Sequence, residues 1–443
     1  MNLRFSWSTW STFTIAAGLS TLLSTLVSCG AERSQMPPQV LSQSPQSIDV
    51  TQSSPSLSRS IPGNTLQVQS AQAQTAQAQT AQAQTGLQAP ETPLPPETQA
   101  ILSQLGDRPL FDPPRGDVRL VVISDLNSAY GSTDYDPEVD KGLALVPFWQ
   151  PDLVICGGDM VAGQQASLTA AEIRAMWSAF DDRVSGVLRR YQVPFGFTIG
   201  NHDASAVQTS QGNFAFAQER DLAKEYWHNP AHDPGITFVD RFEFPFYYTF
   251  EHQGIFFLVW DGSTAMIPPE KLDWVEKALG SDRAQQAQMR IVLGHLPLYG
   301  IAKGRDQPGE VLDDADGLRA LLEQYDVHTY ISGHQHAYYP GHRGDLQLLH
   351  TGILGSGPRA LIEGDQPPLK AITVVDIAFE DADRTTYSTY NLETLDLIEH
   401  QTLPRFLVGH NGLVLRRDVE WTDLDQTEQE TCESRIGAGG CSP

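Results

Sequence analysis

Apolar runs that end in small polar clusters recur along this chain, and they predict its secondary structure. Residues 118–125 read Val-Arg-Leu-Val-Val-Ile-Ser-Asp, a buried strand that closes on a carboxylate. Residues 152–159, 193–199, 290–293 and 327–331 repeat the pattern, each followed by Gly with Asp, Asn or His. Between them lie helical periods. Residues 137–149 carry one. Another follows Thr169-Ala-Ala-Glu172, which has the form of a capping box, and places Ile173, Met176, Trp177, Phe180, Val184 and Leu188 on one stripe. Leu272, Val275 and Leu279 after Pro268-Pro269, and residues 318–325, predict two more helices. Residues 247–260 read as a hairpin turning at Gln253-Gly254. Residues 371–379 and 385–397 read as late strands.

Strand and helix in alternation, with added hairpins, predict an α/β class with two sheets packed face to face and covered by helices. Residues 204–235 have no strand pattern and are expected to form a loop or cap beside the site. The globular composition begins near Glu97 and is expected to run to residue 417. Residues 29–96 are rich in Ser, Gln, Pro and Ala, with Ala-Gln-Ala-Gln-Thr three times in a row from Ala71 to Thr85. So little apolar surface cannot offset the entropy of ordering, and a disordered tether is expected. Residues 418–443 are acidic and polar and are expected to be mobile, apart from a staple if Cys432 and Cys441 are bonded. Two free thiols there remain the alternative. Cys156, inside a predicted strand, is expected to act as a small buried hydrophobe.

The chain of 443 residues has 29 Lys and Arg against 54 Asp and Glu, a formal charge of −25. That balance argues against a nucleic-acid partner, which is bound through basic patches. It does not exclude a small phosphate substrate, because a bound cation reverses the local field. At the start, Arg4 precedes an apolar stretch over residues 13–27 that stops at Leu26-Val27-Ser28-Cys29. This resembles the lipobox of bacterial lipoproteins. The resemblance implies a signal peptide over residues 1–28, a lipid on Cys29, and a membrane-anchored protein of the bacterial cell envelope, periplasmic or extracytoplasmic. An ordinary secretory signal, or an uncleaved anchor, is the alternative. No later run is long enough to span a bilayer.

The predicted strand ends carry the chemistry: Asp125-Leu-Asn127, Gly158-Asp159, Gly200-Asn201-His202-Asp203, Gly294-His295 and Gly333-His334-Gln335-His336. Open α/β sheets present functional groups at the C-terminal edge of their strands. Carboxylates, an amide oxygen and imidazoles together form a ligand set for divalent metals, and a metal pair is a common device for hydrolysing phosphate esters. Each residue alone has an ordinary use, as a helix cap or a turn former. Five blocks, each after a β-like run, make coincidence a poor account.

The order and spacing of these blocks resemble the calcineurin-like metallophosphoesterase superfamily, which includes purple acid phosphatases, over roughly residues 119–355. The resemblance implies a four-layer α/β/β/α sandwich and two divalent ions, with Mn, Fe, Zn, Mg and Ca all open. It implies Asp159 bridging the ions, Asp125 and His336 on one, and Asn201, His295 and His334 on the other. A hydroxide held there would attack phosphorus, and His202 would face the substrate as a leaving-group acid, oriented by Asp203. One departure stands out. The family often has Asp-x-His in its first block, where this chain has Asn127; the Tyr of purple acid phosphatases, three residues after the bridging Asp, is Ala162 here. Asn127 either ligates through its amide oxygen or only holds a loop. The expected function is hydrolysis of a small phosphate mono- or diester; the alternative is a non-catalytic envelope lipoprotein that keeps the cleft to bind a ligand or partner. His228, His232 and Asp233 are a weaker metal candidate, since Pro230 and Pro234 break a shared helical face. Tyr130, Tyr135 and Asp136 are placed near the entrance, His350 near the last block, and Trp227, Tyr299, Tyr338 and Tyr339 as core or stacking groups.

Overall fold

The computed structural model describes residues 93–381 and 383–441. The predicted signal, Cys29 and the tether up to residue 92 lie outside the described residues. A helix over Pro96–Gln104 opens the described fold.

Fourteen strands follow: β1 (Val118–Ile123), β2 (Leu153–Cys156), β3 (Phe195–Phe197), β4 (Thr237–Glu243), β5 (Tyr247–His252), β6 (Ile255–Val259), β7 (Met289–Leu293), β8 (Thr329–Ser332), β9 (Tyr339–Arg343), β10 (Leu346–His350), β11 (Ala371–Ile377), β12 (Thr385–Asn391), β13 (Phe406–Gly409) and β14 (Gly412–Arg416). They form a five-stranded sheet ordered β12-β11-β1-β2-β3 and a nine-stranded sheet ordered β13-β14-β9-β10-β8-β7-β6-β5-β4. The strands that carry the site are parallel: β1 with β2, β2 with β3, and β7 with β8. Parallel pairing sends their C-terminal ends the same way, so the polar clusters collect at one edge of each sheet.

The two sheets are joined through their inner faces. The Tyr248 hydroxyl donates to the Phe197 carbonyl, and Thr198 Oγ1 donates to the Trp260 carbonyl at 3.2 Å. One apolar core runs through both sheets, with Val121, Val154, Phe197, Phe257 and Val292 all buried. Near-continuous apolar strands are what burial on both faces demands.

Helices cover the outside. Pro137–Trp149 matches its predicted bounds. Ala170–Phe180 starts at Thr169, whose side chain accepts from the Glu172 N–H while the Glu172 carboxylate accepts from the Thr169 N–H. The predicted stripe is buried throughout, although a π-helical stretch over Asp181–Ser185 carries the helix on to Gly186–Tyr191. The hairpin of β5 and β6 turns at Gln253 and Gly254, with φ of 44° and 84°, the paired left-handed conformation of a tight hairpin.

The segment 204–235 lies beside the site as expected of a loop or cap, and it holds a helix over Ala217–His228 that packs on Ala170–Phe180 through Tyr226 stacked on Trp177. Two expectations are corrected. The late strand predicted to reach residue 397 ends at Asn391, because Leu395 turns the chain at φ 59°. The tail is folded. A helix over Gln426–Gly440 carries a Cys432–Cys441 disulfide and buries both cysteines beside Val408, Leu413 and Leu415 of the β13–β14 hairpin. Polar composition hid that packing, since within the helix only Cys432 is buried and Ile436 partly so.

Candidate metal centre

The site lies where β1, β2, β3, β7 and β8 end. Asp125, Asp159, His334 and His336 all have positive φ, 51°, 54°, 65° and 54°. Such backbone costs free energy for a non-glycine residue, and it collects where geometry matters more than local comfort. It turns each side chain back over its strand end. Gly200 completes the cradle: a Cβ there would lie 2.1 Å from Asp159 Oδ1.

Asp125, Asp159 and His295 bring one donor atom each within 4.8 Å of one another. Both carboxylates are buried, 0 % and 1 % exposed. Among the described residues neither pairs with Lys or Arg; Asp159 Oδ2 faces His295 Nε2 at 3.3 Å and Asp125 Oδ1 faces His336 Nε2 at 3.3 Å. Two buried carboxylates need positive charge nearby. The electrostatics of the pair point the same way. Burial works against a charged His295, yet Asp159 beside it outweighs burial and pushes the imidazole up to about 9. Burial likewise works against the Asp159 carboxylate, but the neighbouring His295 and His202 hold it far below the usual range.

A second set of donors sits alongside. Asn201 Oδ1 lies 2.9 Å from His295 Nε2 and 3.0 Å from His334 Nδ1, and those two nitrogens are 3.3 Å apart. The other ends of all three side chains are already committed. Asn201 Nδ2 donates to Gln164 Oε1 at 2.7 Å, His295 Nδ1 donates to the Gly157 carbonyl at 2.8 Å, and His334 Nε2 donates to Glu310 Oε2 at 2.8 Å. Such outer bonds fix the ring orientations; His334 Nδ1 keeps a lone pair, and His295 Nε2 has one once a cation displaces its proton. Burial keeps His334 neutral, down to about 3, while its hydrogen bond holds Glu310 down to about 2. His336 Nδ1 donates to the Gly357 carbonyl at 2.9 Å, and its buried Nε2 has no hydrogen-bond partner among the described residues. Three converging ligand-type atoms, two buried carboxylates that face imidazoles, and an imidazole nitrogen without a hydrogen-bond partner among the described residues fit a site for divalent cations.

His202 lines the adjoining cleft, its Nδ1 donating to the Gly163 carbonyl at 3.2 Å and its ring 5.1 Å from that of Tyr130. Asp203 does not orient it. The Asp203 carboxylate accepts from the backbone N–H of Met160, Val161 and Gly200 at 2.7, 2.9 and 2.8 Å, tying the Asn201 turn to the loop after β2. Burial first, then repulsion from Asp159, raises it to about 7. Asn127 is buried near the centre; its backbone N–H donates to the Asp159 carbonyl at 3.3 Å, and its side chain makes no hydrogen bond among the described residues.

The weaker candidates separate from the site. His228 and His232 donate to the Lys224 and Tyr226 carbonyls and do not converge. Trp227 stacks on Phe197, Tyr299 donates to Asp316, Tyr339 donates to the Pro404 carbonyl, and Tyr338 pairs with His400. Tyr135 donates to the Met160 carbonyl, Asp136 pairs with Lys370, and His350 is buried away from polar partners. Three contributors escaped sequence reasoning: Gln164, Glu310, and Arg305, whose guanidinium lies 2.7 and 2.9 Å from the two His334 nitrogens. Arg305 and Glu310 sit in a polar loop with no β-like run before it, and Gln164 stands five residues past the polar end of the β2 run, so nothing in the local pattern marks them.

Residues 118–338 match the family model for calcineurin-like phosphoesterase. The matched segment contains all five polar blocks. The calcineurin-like phosphoesterase fold, mixed α/β with two sheets and covering helices, is the one described above. Among solved structures, purple acid phosphatase PPD1 from yellow lupin seeds is similar at 15% identity and a TM-score of 0.45, over 65% of this chain and 54% of that one. The chain thus spans about half the length of the lupin protein. GAP50, the anchor in the inner membrane complex of Plasmodium, is similar at 13% identity and a TM-score of 0.40, over 74% and 96%. Yfce, a phosphoesterase from E. coli, is similar at 13% identity and a TM-score of 0.29, over 63% and 97%. No curated protein matches the chain in sequence. Among the described residues no helix is long and apolar enough to cross a membrane.

Proposed function

We propose that this protein hydrolyses phosphate mono- or diesters at a pair of divalent cations. The observation that carries the reading is the triangle of Asn201 Oδ1, His295 Nε2 and His334 Nδ1, three ligand-type atoms turned toward one another at 2.9–3.3 Å beside the buried Asp159 carboxylate. Such atoms converge around a cation, or around a proton held by His295 Nε2 that a cation displaces. In this reading Asn201, His295 and His334 would hold one ion, Asp125 and His336 with Asn127 would hold the other, and the Asp159 carboxylate would be available to both. Bound ions of this kind supply Lewis acidity and a water acidic enough to ionise near neutral pH.

The chain's own residues do the rest. His202 keeps a proton on Nδ1 through Gly163, so Nε2 is the atom that faces the cleft. With a proton on both nitrogens it would give the Nε2 proton to the leaving oxygen as the P–O ester bond breaks and water adds to phosphorus, and would recover a proton from that water. Asp203 holds the Asn201–His202 turn through backbone bonds, a positioning role. The test is turnover of para-nitrophenyl phosphate and its bis-ester by the Mn-loaded protein, beside Asp159→Asn and His202→Ala. Turnover lost in both variants supports the hydrolase. Metal binding without turnover of any ester favours the ligand-binding alternative.

We also propose a lipid-anchored place in the bacterial envelope, supported by Leu26-Val27-Ser28-Cys29 alone. Incorporation of labelled palmitate that disappears in Cys29→Ala tests it.

A further inference from the structure

The cleft beside the metal centre has a volume of about 1240 Å³ and is lined by Asn201, His202 and His334. That is more room than a phosphate group needs. Its walls are unusual for this chain. Among the described residues the exposed large hydrophobic side chains are Phe111, Tyr130, Val207, Phe214, Phe242 and Met266, from 41% to 60% exposed. All but Phe111 line this cleft. Single exposed apolar residues need no explanation, but a concentration beside a polar site marks a surface that meets an apolar ligand. These side chains are also held in place. Arg220, anchored by Asp261 at 2.8 Å, lies 4.3 Å from the Phe214 ring centroid, and Phe242 stacks on Trp274 at 5.3 Å.

The same cleft contains free positive charge. Lys224 and Arg241 line it and form no ion pair among the described residues, against one such carboxylate, Glu270, although the chain has a net charge of −25. Lys224 Nζ lies 5.5 Å from the Phe246 centroid, and Arg241 Cζ lies 4.3 Å from that of Phe238. Unpaired cations in an acidic protein draw an anionic ligand into this cleft.

Building on the hydrolase reading, we infer that the substrate is an amphiphilic phosphate ester. Its phosphate sits at the Asn201–His334 end, and an apolar body of several carbons lies against Phe214, Phe242 and Met266. The metal end fixes the phosphate, so affinity beyond that of a minimal ester comes from the walls. A fully buried methylene is worth about fourfold in binding; a cleft open on one side is expected to yield about twofold per carbon.

The test is calorimetric binding of n-alkylphosphonates, from methyl to octyl, to the Mn-loaded full-length protein. Phenyl- and naphthylphosphonate are run beside them. Affinity rising about twofold per carbon supports the inference, provided the rise flattens in Phe242→Ser/Met266→Ser that keeps the wild-type melting temperature. Tighter binding of the aromatic phosphonates than of alkyl ones with equal carbon number supports it with a flat body; the reverse supports it with a flexible chain. Equal affinity across both series, or a rise untouched by the double variant, overturns it. Turnover of para-nitrophenyl phosphate is measured on the same preparation. Flat binding with turnover sinks this inference alone. No turnover of any ester sinks the hydrolase reading, whatever the phosphonates do.

Discussion

Gln164 turns the amide of Asn201. Its Oε1 accepts from Asn201 Nδ2 at 2.7 Å, which sends Asn201 Oδ1 toward His295 and His334. Gln164 is itself fixed: its backbone N–H donates to both carboxylate oxygens of Glu219, at 3.1 and 3.0 Å, on the helix over Ala217–His228. The cap helix therefore reaches the candidate metal centre through one loop residue. Gln164→Leu is expected to weaken cation binding about 10- to 100-fold, as loss of a ligand's outer partner commonly does. Mn titration by calorimetry reads it, and an unchanged affinity would remove Gln164 from the site.

Gly200 has no room for a side chain. A Cβ would stand 2.1 Å from Asp159 Oδ1 and 2.3 Å from the Asp159 nitrogen. Gly200→Ala must displace Asp159 or the Asn201 turn. The expected outcome is loss of at least one bound ion, with destabilisation of about 1–3 kcal/mol from the overpacking. Metal analysis of the purified variant and its melting temperature check the two parts separately.

His350 makes the fold sensitive to acid. It is 1% exposed, neither ring nitrogen has a hydrogen-bond partner among the described residues, and burial pushes it down to about 3. The unfolded chain takes up this proton near pH 6.5, and the folded chain does not. Its contribution to stability is therefore complete above pH 6.5 and is lost as pH falls from there toward 3. The slope is at most about 1.4 kcal/mol per pH unit from this one group. Denaturant unfolding at pH 7 and pH 5 measures it, and His350→Leu is expected to flatten the dependence.

The Cys432–Cys441 bond closes a loop across a sequence separation of nine residues. A loop that short is worth roughly 2–3 kcal/mol to the segment it constrains. Reduction is expected to loosen the helix over Gln426–Gly440 and to leave cation binding intact, because that helix packs on the β13–β14 hairpin. Hydrogen exchange with and without reductant should place the change there; protection lost at β1 or β2 would contradict it.

Much of this was legible from residue order alone. Apolar runs marked β1, β2, β3, β7 and β8, since a strand buried on both faces must be apolar throughout. The polar residue after each run was legible too, because parallel strands put all those ends on one side. Capping chemistry marked the start at Thr169, and Gln253-Gly254 marked the hairpin, since both signals act within four residues. The tertiary structure decided what depends on distant segments. It gave Asp203 to three backbone donors in place of His202, and it gave Asn201 and His334 their outer partners, Gln164 and Glu310, from loops without periodicity. It packed the polar tail on a hairpin through a disulfide. It also gathered Phe214, Phe242 and Met266 onto one cleft. Periodicity reports which face of an element is buried; it does not report which remote group meets that face, and the outer partners and cleft walls of this site are all meetings of that second kind.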